Sequence, residues 1–169
     1  GVAALDGPGP TSDTTFRIAS MTKSVTAAVL LSLRDDGFLS PDLPAGELVP
    51  ELLAGGAEAR LITLRHLLTM TAGLPTDDPW GDRQQDLPHA ALRSLLASGL
   101  TPAWRPGERF EYSNLGYAIL GLAIEAVTRL PYAEAAAMRV LRPVGMGSTG
   151  YHLDSLDESH RAHGYVRRS

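Results

Sequence analysis

The 169-residue sequence has no cysteine, a single lysine (Lys23) and a single asparagine (Asn114). Without cysteine there is neither a disulfide framework nor a thiolate nucleophile. No apolar run reaches the roughly 18–20 residues that a bilayer span requires. No signal-peptide pattern is visible, and Gly1 is not an initiator residue. The net charge of −4 leaves no excess of basic residues, which argues against a nucleic-acid partner. The histidines (His66, His89, His152, His160 and His163) show no zinc-site spacing, so no metal or cofactor is expected. There is no internal repeat and no low-complexity tract.

What remains describes one globular domain with a real core. Hydrophobic residues make up 44% of the chain and charged residues 20%. Residues 1–15 read as the end of a strand and an exposed hairpin or loop. From Ser20 the pattern predicts a helix of four to five turns that stops at Gly37. Residues 38–56 are rich in turn formers and read mostly as loop. Thr63 is placed to cap a short helix carrying Leu64, Leu67 and Leu68, with Gly73 past its end. Residues 89–99 read as an amphipathic helix and 114–128 as an apolar one. A further helix opens at Pro131 and closes before Pro143. Residues 148–169 form a polar tail. The helices after Ser20 and Asn114 are apolar on so many faces that either they bury each other or a missing part of the protein covers them, and apolar surface left bare will favour self-association.

Lys23 is the first candidate for chemistry, because every other basic residue, fourteen in all, is arginine. Lysine can surrender its proton when buried, whereas arginine does not. Ser20 lies three residues earlier, on the same helix face. A serine hydroxyl is a weak nucleophile until a base takes its proton, and a lysine one turn away can supply that base. The second candidate is "EYSNLGY", where Tyr112 and Asn114 stand two apart and point the same way. A phenolic oxygen can share a lysine's proton, and an amide can orient a lysine or a substrate carbonyl. The competing reading makes Asn114 a helix N-cap and Tyr112 a core residue. Tyr117 and Tyr132 have the spacing of core residues, and Asp35 and Asp36 that of a solvated helix end.

Ser-x-x-Lys followed some ninety residues later by Tyr-x-Asn resembles the serine β-lactamase and penicillin-binding-protein superfamily. The similarity is to the branch holding class C β-lactamases, D-alanyl-D-alanine carboxypeptidases and β-lactamase-like carboxylesterases. It extends through "FRIASMTKSVTAAVLLSLRDDGFLS", "ITLRHLLTMTAGLP" and "PGERFEYSNLGYAILGLAIEAVTRLPYAEAAAMRVLRPVGM". The fold implied is α+β, β-lactamase/transpeptidase-like, represented here mainly by its helical portion, with little of the antiparallel sheet. In that frame residues 1–15 are a strand or hairpin remnant, 16–147 the helical region and 148–169 a tail.

The resemblance implies that Ser20 is the acylated nucleophile and Lys23 its proton partner. Tyr112 becomes a general base that also serves the leaving group, and Asn114 a positioning group. It sets Trp80 in a loop near the site entrance as a candidate wall for substrate, the alternative being an ordinary half-buried aromatic. Substrates of the branch are small esters, amides or peptides. Carboxylesterase or D-amino-acid peptidase activity is the leading expectation. A β-lactamase or penicillin-binding carboxypeptidase is the alternative, and a catalytically incompetent fragment the reading of another class. Location follows substrate, cytoplasmic for an esterase and periplasmic or secreted for the others. The family's third box, a basic residue before Thr/Ser-Gly, has no counterpart, since Ser148-Thr149-Gly150 follows Gly147. Its strand normally gives one of two oxyanion donors, so the sequence by itself predicts an incomplete oxyanion hole. Met70 stands where the branch often has histidine.

Overall fold

The structure, a computed structural model, describes residues 3–5, 7–76, 87–152 and 157–165. It is built from helices around an aliphatic core. The longest are α1 (Thr22–Asp35) and α5 (Asn114–Thr128). Between them come α2 (Gly56–Arg60), α3 (Leu64–Leu68) and α4 (His89–Ala97). After α5, α6 (Tyr132–Ala136) runs into one π-helical stretch, Ala137–Leu141. Among the described residues there is no strand, only single bridges pairing Thr15 with Arg161 and Pro44 with Thr63.

Helix α5 is the centre of the molecule. Leu115, Gly116, Ile119, Leu120, Leu122, Ala123 and Ile124 are all buried, which takes in more than one face of the helix. It packs on α1, α3 and α6. Helix α1 contributes Val29, Leu30 and Leu33 to the same core. Burying a leucine or isoleucine of this kind is worth about 1.5–3 kcal/mol. The helical chain therefore covers α5 itself, with α1 among the elements packed on it.

Local signals explain the helix ends. After α1, Gly37 takes φ 77°, and the N–H groups of Gly37 and Phe38 bond the carbonyls of Arg34 and Leu33, a Schellman closure. Thr63 caps α3 in a reciprocal box with His66, each side chain accepting from the other's backbone N–H. Helix α5 is capped by Ser113, whose hydroxyl accepts from Gly116 N–H at 3.0 Å. Asn114 is thus the first residue of the helix and not its cap.

Two other expectations need correction. Residues 38–56 are not mostly loop. Ala45–Glu47 and Pro50–Gly55 are 3₁₀ helices, and α2 begins at Gly56. Ala45, Val49 and Leu52 supply the reason, because each is fully buried in the common core and tertiary packing overrides the turn-forming composition. Described residues of the first fifteen form no strand; Thr15 contributes only its bridge. The polar tail contains a 3₁₀ turn at Glu158–His160, capped by the Asp157 carboxylate, which accepts from Ser159 N–H.

Candidate active site

The chain enters α1 through a 3₁₀ turn, Ala19–Met21, so Ser20 sits in that turn and the α-helix starts two residues later. Ala19 holds φ 44°, in the left-handed region that costs an L-residue roughly 1–2 kcal/mol. This turn sets Ser20 at the open end of α1. Ser20 is exposed, and Lys23, on the first turn of the helix, is half-buried. Tyr112 arrives by a different route. The segment 70–73 straps the approach to α5 through three backbone bonds of 2.8 Å. Ala103 N–H donates to Gly73 O, Gly107 N–H to Thr71 O, and Glu111 N–H to Met70 O. The last bond fixes the residue before Tyr112, and the Ser113 cap fixes the residue after it.

The two segments bring all four residues together. Lys23 Nζ donates to Ser20 Oγ at 3.1 Å, to Tyr112 Oη at 2.7 Å and to Asn114 Oδ1 at 2.6 Å. Ser20 Oγ and Tyr112 Oη share a hydrogen bond of 2.6 Å. Three acceptors around one ammonium match its three donors, and the short distances are those of charge-assisted bonds. The spacing argument that Tyr112 and Asn114 face one way is met at a common target, the Lys23 ammonium. Trp80 lies outside the described residues.

Four neighbours were not legible as part of this region. Tyr117 has Lys23 Nζ 5.6 Å from its ring centre, and its hydroxyl donates to the Leu68 carbonyl at 3.0 Å. Burial, and after it the charge of Tyr112, hold the Tyr117 phenol above its ordinary 10.0, so it stays a donor. The signal was present in its spacing, because Tyr117 is three residues after Asn114 and shares its helix face. On α1, buried Thr26 shares a 2.7 Å bond with Tyr132 Oη, which in turn meets Tyr151 Oη at 3.0 Å. This hydroxyl chain ties α1 to α6 and to the segment after it. Burial, and then the bond with Tyr132, push the Tyr151 phenol well above the usual tyrosine range.

The chemistry available is therefore an exposed hydroxyl in contact with two half-buried groups able to carry its proton. The β-lactamase family model matches residues 1–169. The chain belongs to the β-lactamase family. This is a family of serine hydrolases, and the helical chain described above corresponds to part of its β-lactamase/transpeptidase-like fold. Protein flp of Staphylococcus aureus (strain NCTC 8325 / PS 47) is 32% identical over 160 residues, covering 90% of this chain and 31% of that protein. Penicillin-binding protein 4* of Bacillus subtilis (strain 168) is 30% identical over 159 residues, covering 89% of the chain and 34% of the relative. Among solved structures, a D-alanine carboxypeptidase from Burkholderia cenocepacia is 29% identical with a TM-score of 0.79. That match covers 100% of this chain and 46% of the other. The chain spans about a third of the length of the curated relatives it matches.

Proposed function

We propose that this β-lactamase-family chain carries the nucleophile and proton-transfer groups of a serine acyl-hydrolase. Ser20 Oγ attacks a carboxyl carbon of an ester or amide, forming the C–O bond of an acyl-enzyme. Its proton passes to the Lys23–Tyr112 pair, and from there to the departing alcohol or amine as its bond to the acyl carbon breaks. Water then attacks the acyl carbon and gives a proton to the same pair, which returns one to Ser20 Oγ as the acyl C–O bond breaks and the acid leaves. The proton belongs to the pair rather than to either atom. Asn114 Oδ1 holds the lysine in line. The observation that carries this reading is the 2.6 Å contact of Ser20 Oγ with Tyr112 Oη beside the lysine that touches both.

The substrate class we favour is a short peptide ending in a D-amino acid, or a simple carboxylic ester. The peptide reading is supported by the relative named as a D-alanine carboxypeptidase. Acylation by a β-lactam is the second reading, supported by the relative named as a penicillin-binding protein. Because the match covers only part of those proteins, turnover is proposed for the complete protein. The test is intact-mass spectrometry after exposure of the complete protein to a fluorophosphonate or a β-lactam. One adduct should form and should vanish in Ser20→Ala while the thermal transition is kept. An adduct that survives the substitution removes Ser20 from the role.

A further inference from the structure

Lys23 meets two aromatic residues, and it meets them differently. Its Nζ lies 4.8 Å from the Tyr112 ring centre and 2.7 Å from the Tyr112 oxygen, so the contact runs through the hydroxyl and the ring merely follows. Tyr117 offers no oxygen to the ammonium. Its hydroxyl is spent on the Leu68 carbonyl at the end of α3, and at 5.6 Å its ring is within range for a cation–π contact.

We propose that Tyr117 is a positioning residue for Lys23, its ring backing the ammonium and its hydroxyl anchoring that ring to α3. The inference rests on the reading of Lys23 as a proton carrier. A flexible four-carbon side chain must stop where three acceptors converge, and hydrogen bonds alone fix the head without limiting the stem. Tyr117 supplies a wall that attracts the charged head and leaves Ser20 uncovered. The anchoring bond survives across the working pH range, because burial keeps the phenol protonated. Tyr117 touches no reacting atom, so its effect should fall on the acylation rate and leave substrate affinity alone.

Two substitutions separate ring from hydroxyl. Tyr117→Phe and Tyr117→Leu both lose the bond to Leu68, and only phenylalanine keeps the ring. In the complete protein, the acylation rate should fall about 10-fold in Tyr117→Leu and stay within about 3-fold in Tyr117→Phe, with KM unchanged in both. A second readout needs no activity. With ¹³C-labelled lysine, the Lys23 ε-methylene signal, assigned by its loss in Lys23→Arg, should be moved upfield by the ring. That displacement should persist in Tyr117→Phe and shrink in Tyr117→Leu to the part due to the Tyr112 ring, whose centre lies 4.8 Å from Nζ. A rate in Tyr117→Leu equal to the unsubstituted protein overturns the positioning role while leaving Ser20 in place. An undisplaced lysine signal in the unsubstituted protein overturns the ring contact itself. No adduct in the unsubstituted protein sinks the nucleophile reading, and the positioning role with it.

Discussion

At Lys23 a positive charge is not enough. The residue donates to three oxygens, one in the turn before α1, one in the segment before α5 and one on α5 itself, and arginine could mimic the charge and part of the bonding. It could not accept the proton that Ser20 must lose, since a guanidinium stays protonated in proteins. Lys23→Arg should therefore lower acylation by about 10²–10⁴-fold, as expected for a missing general base. Stopped-flow acylation of the complete protein by a chromogenic ester is the measurement. A variant that keeps most of the rate would reduce the lysine to an electrostatic prop. The two pairs of residues were legible in the sequence because their spacings are local, three apart and two apart. Tyr117 was not, since helical spacing reports which side of a helix a ring is on and says nothing about what meets its face. The Thr26–Tyr132–Tyr151 chain was hidden for a similar reason: it links residues whose partners are set only by tertiary packing.

Among the elements, the strap at 70–73 matters most for the site. Gly73 takes φ 76° and lies in a part of the chain where a Cβ would run into the Trp104 carbonyl oxygen. Gly73→Ala thus combines a left-handed alanine with a backbone collision, and about 1–3 kcal/mol of stability should be lost. A lower urea midpoint at unchanged slope would show the loss. Residual folded protein should also acylate more slowly, because the strap fixes Glu111, next to Tyr112. A midpoint equal to wild type would mean that the 102–104 loop yields without consequence. Helices with strong end signals were readable beforehand. Gly37, the Thr63 cap and the apolar run of α5 each announce an element in neighbouring residues. The 3₁₀ turns at 45–55 were not, because proline and glycine there suggest loop while Ala45, Val49 and Leu52 are drawn into the core by residues far along the chain.

For the whole molecule, part of the apolar surface that stays open lies beside the site in sequence. Phe16 is 59% exposed, Met21 69% and Phe110 66%. Residues 1–169 expressed alone should associate as concentration rises, and Phe16→Ser with Phe110→Ser should weaken that association, as read by light scattering. With no strand beside Ser20 among the described residues, the same sample should turn over a nitrophenyl ester about 10²–10³-fold more slowly than the complete protein, the usual effect of one absent oxyanion donor. Brisk turnover from a stable monomer would contradict both halves of this expectation.

Ser20 and Tyr112 are 92 residues apart in the chain, and that separation gives the cluster a second meaning, as a clock. During synthesis the amino-terminal turn and α1 exist well before Tyr112 has been added, and for that interval Lys23 has only Ser20 beside it. Closing so long a loop is slow compared with forming either helix. The shared bonds of Lys23 can appear only when α1 and α5 dock. Labelling of Ser20 by a fluorophosphonate during refolding would then time the docking of the two helices, and a far-ultraviolet circular dichroism signal, which follows helix formation alone, should be complete before it.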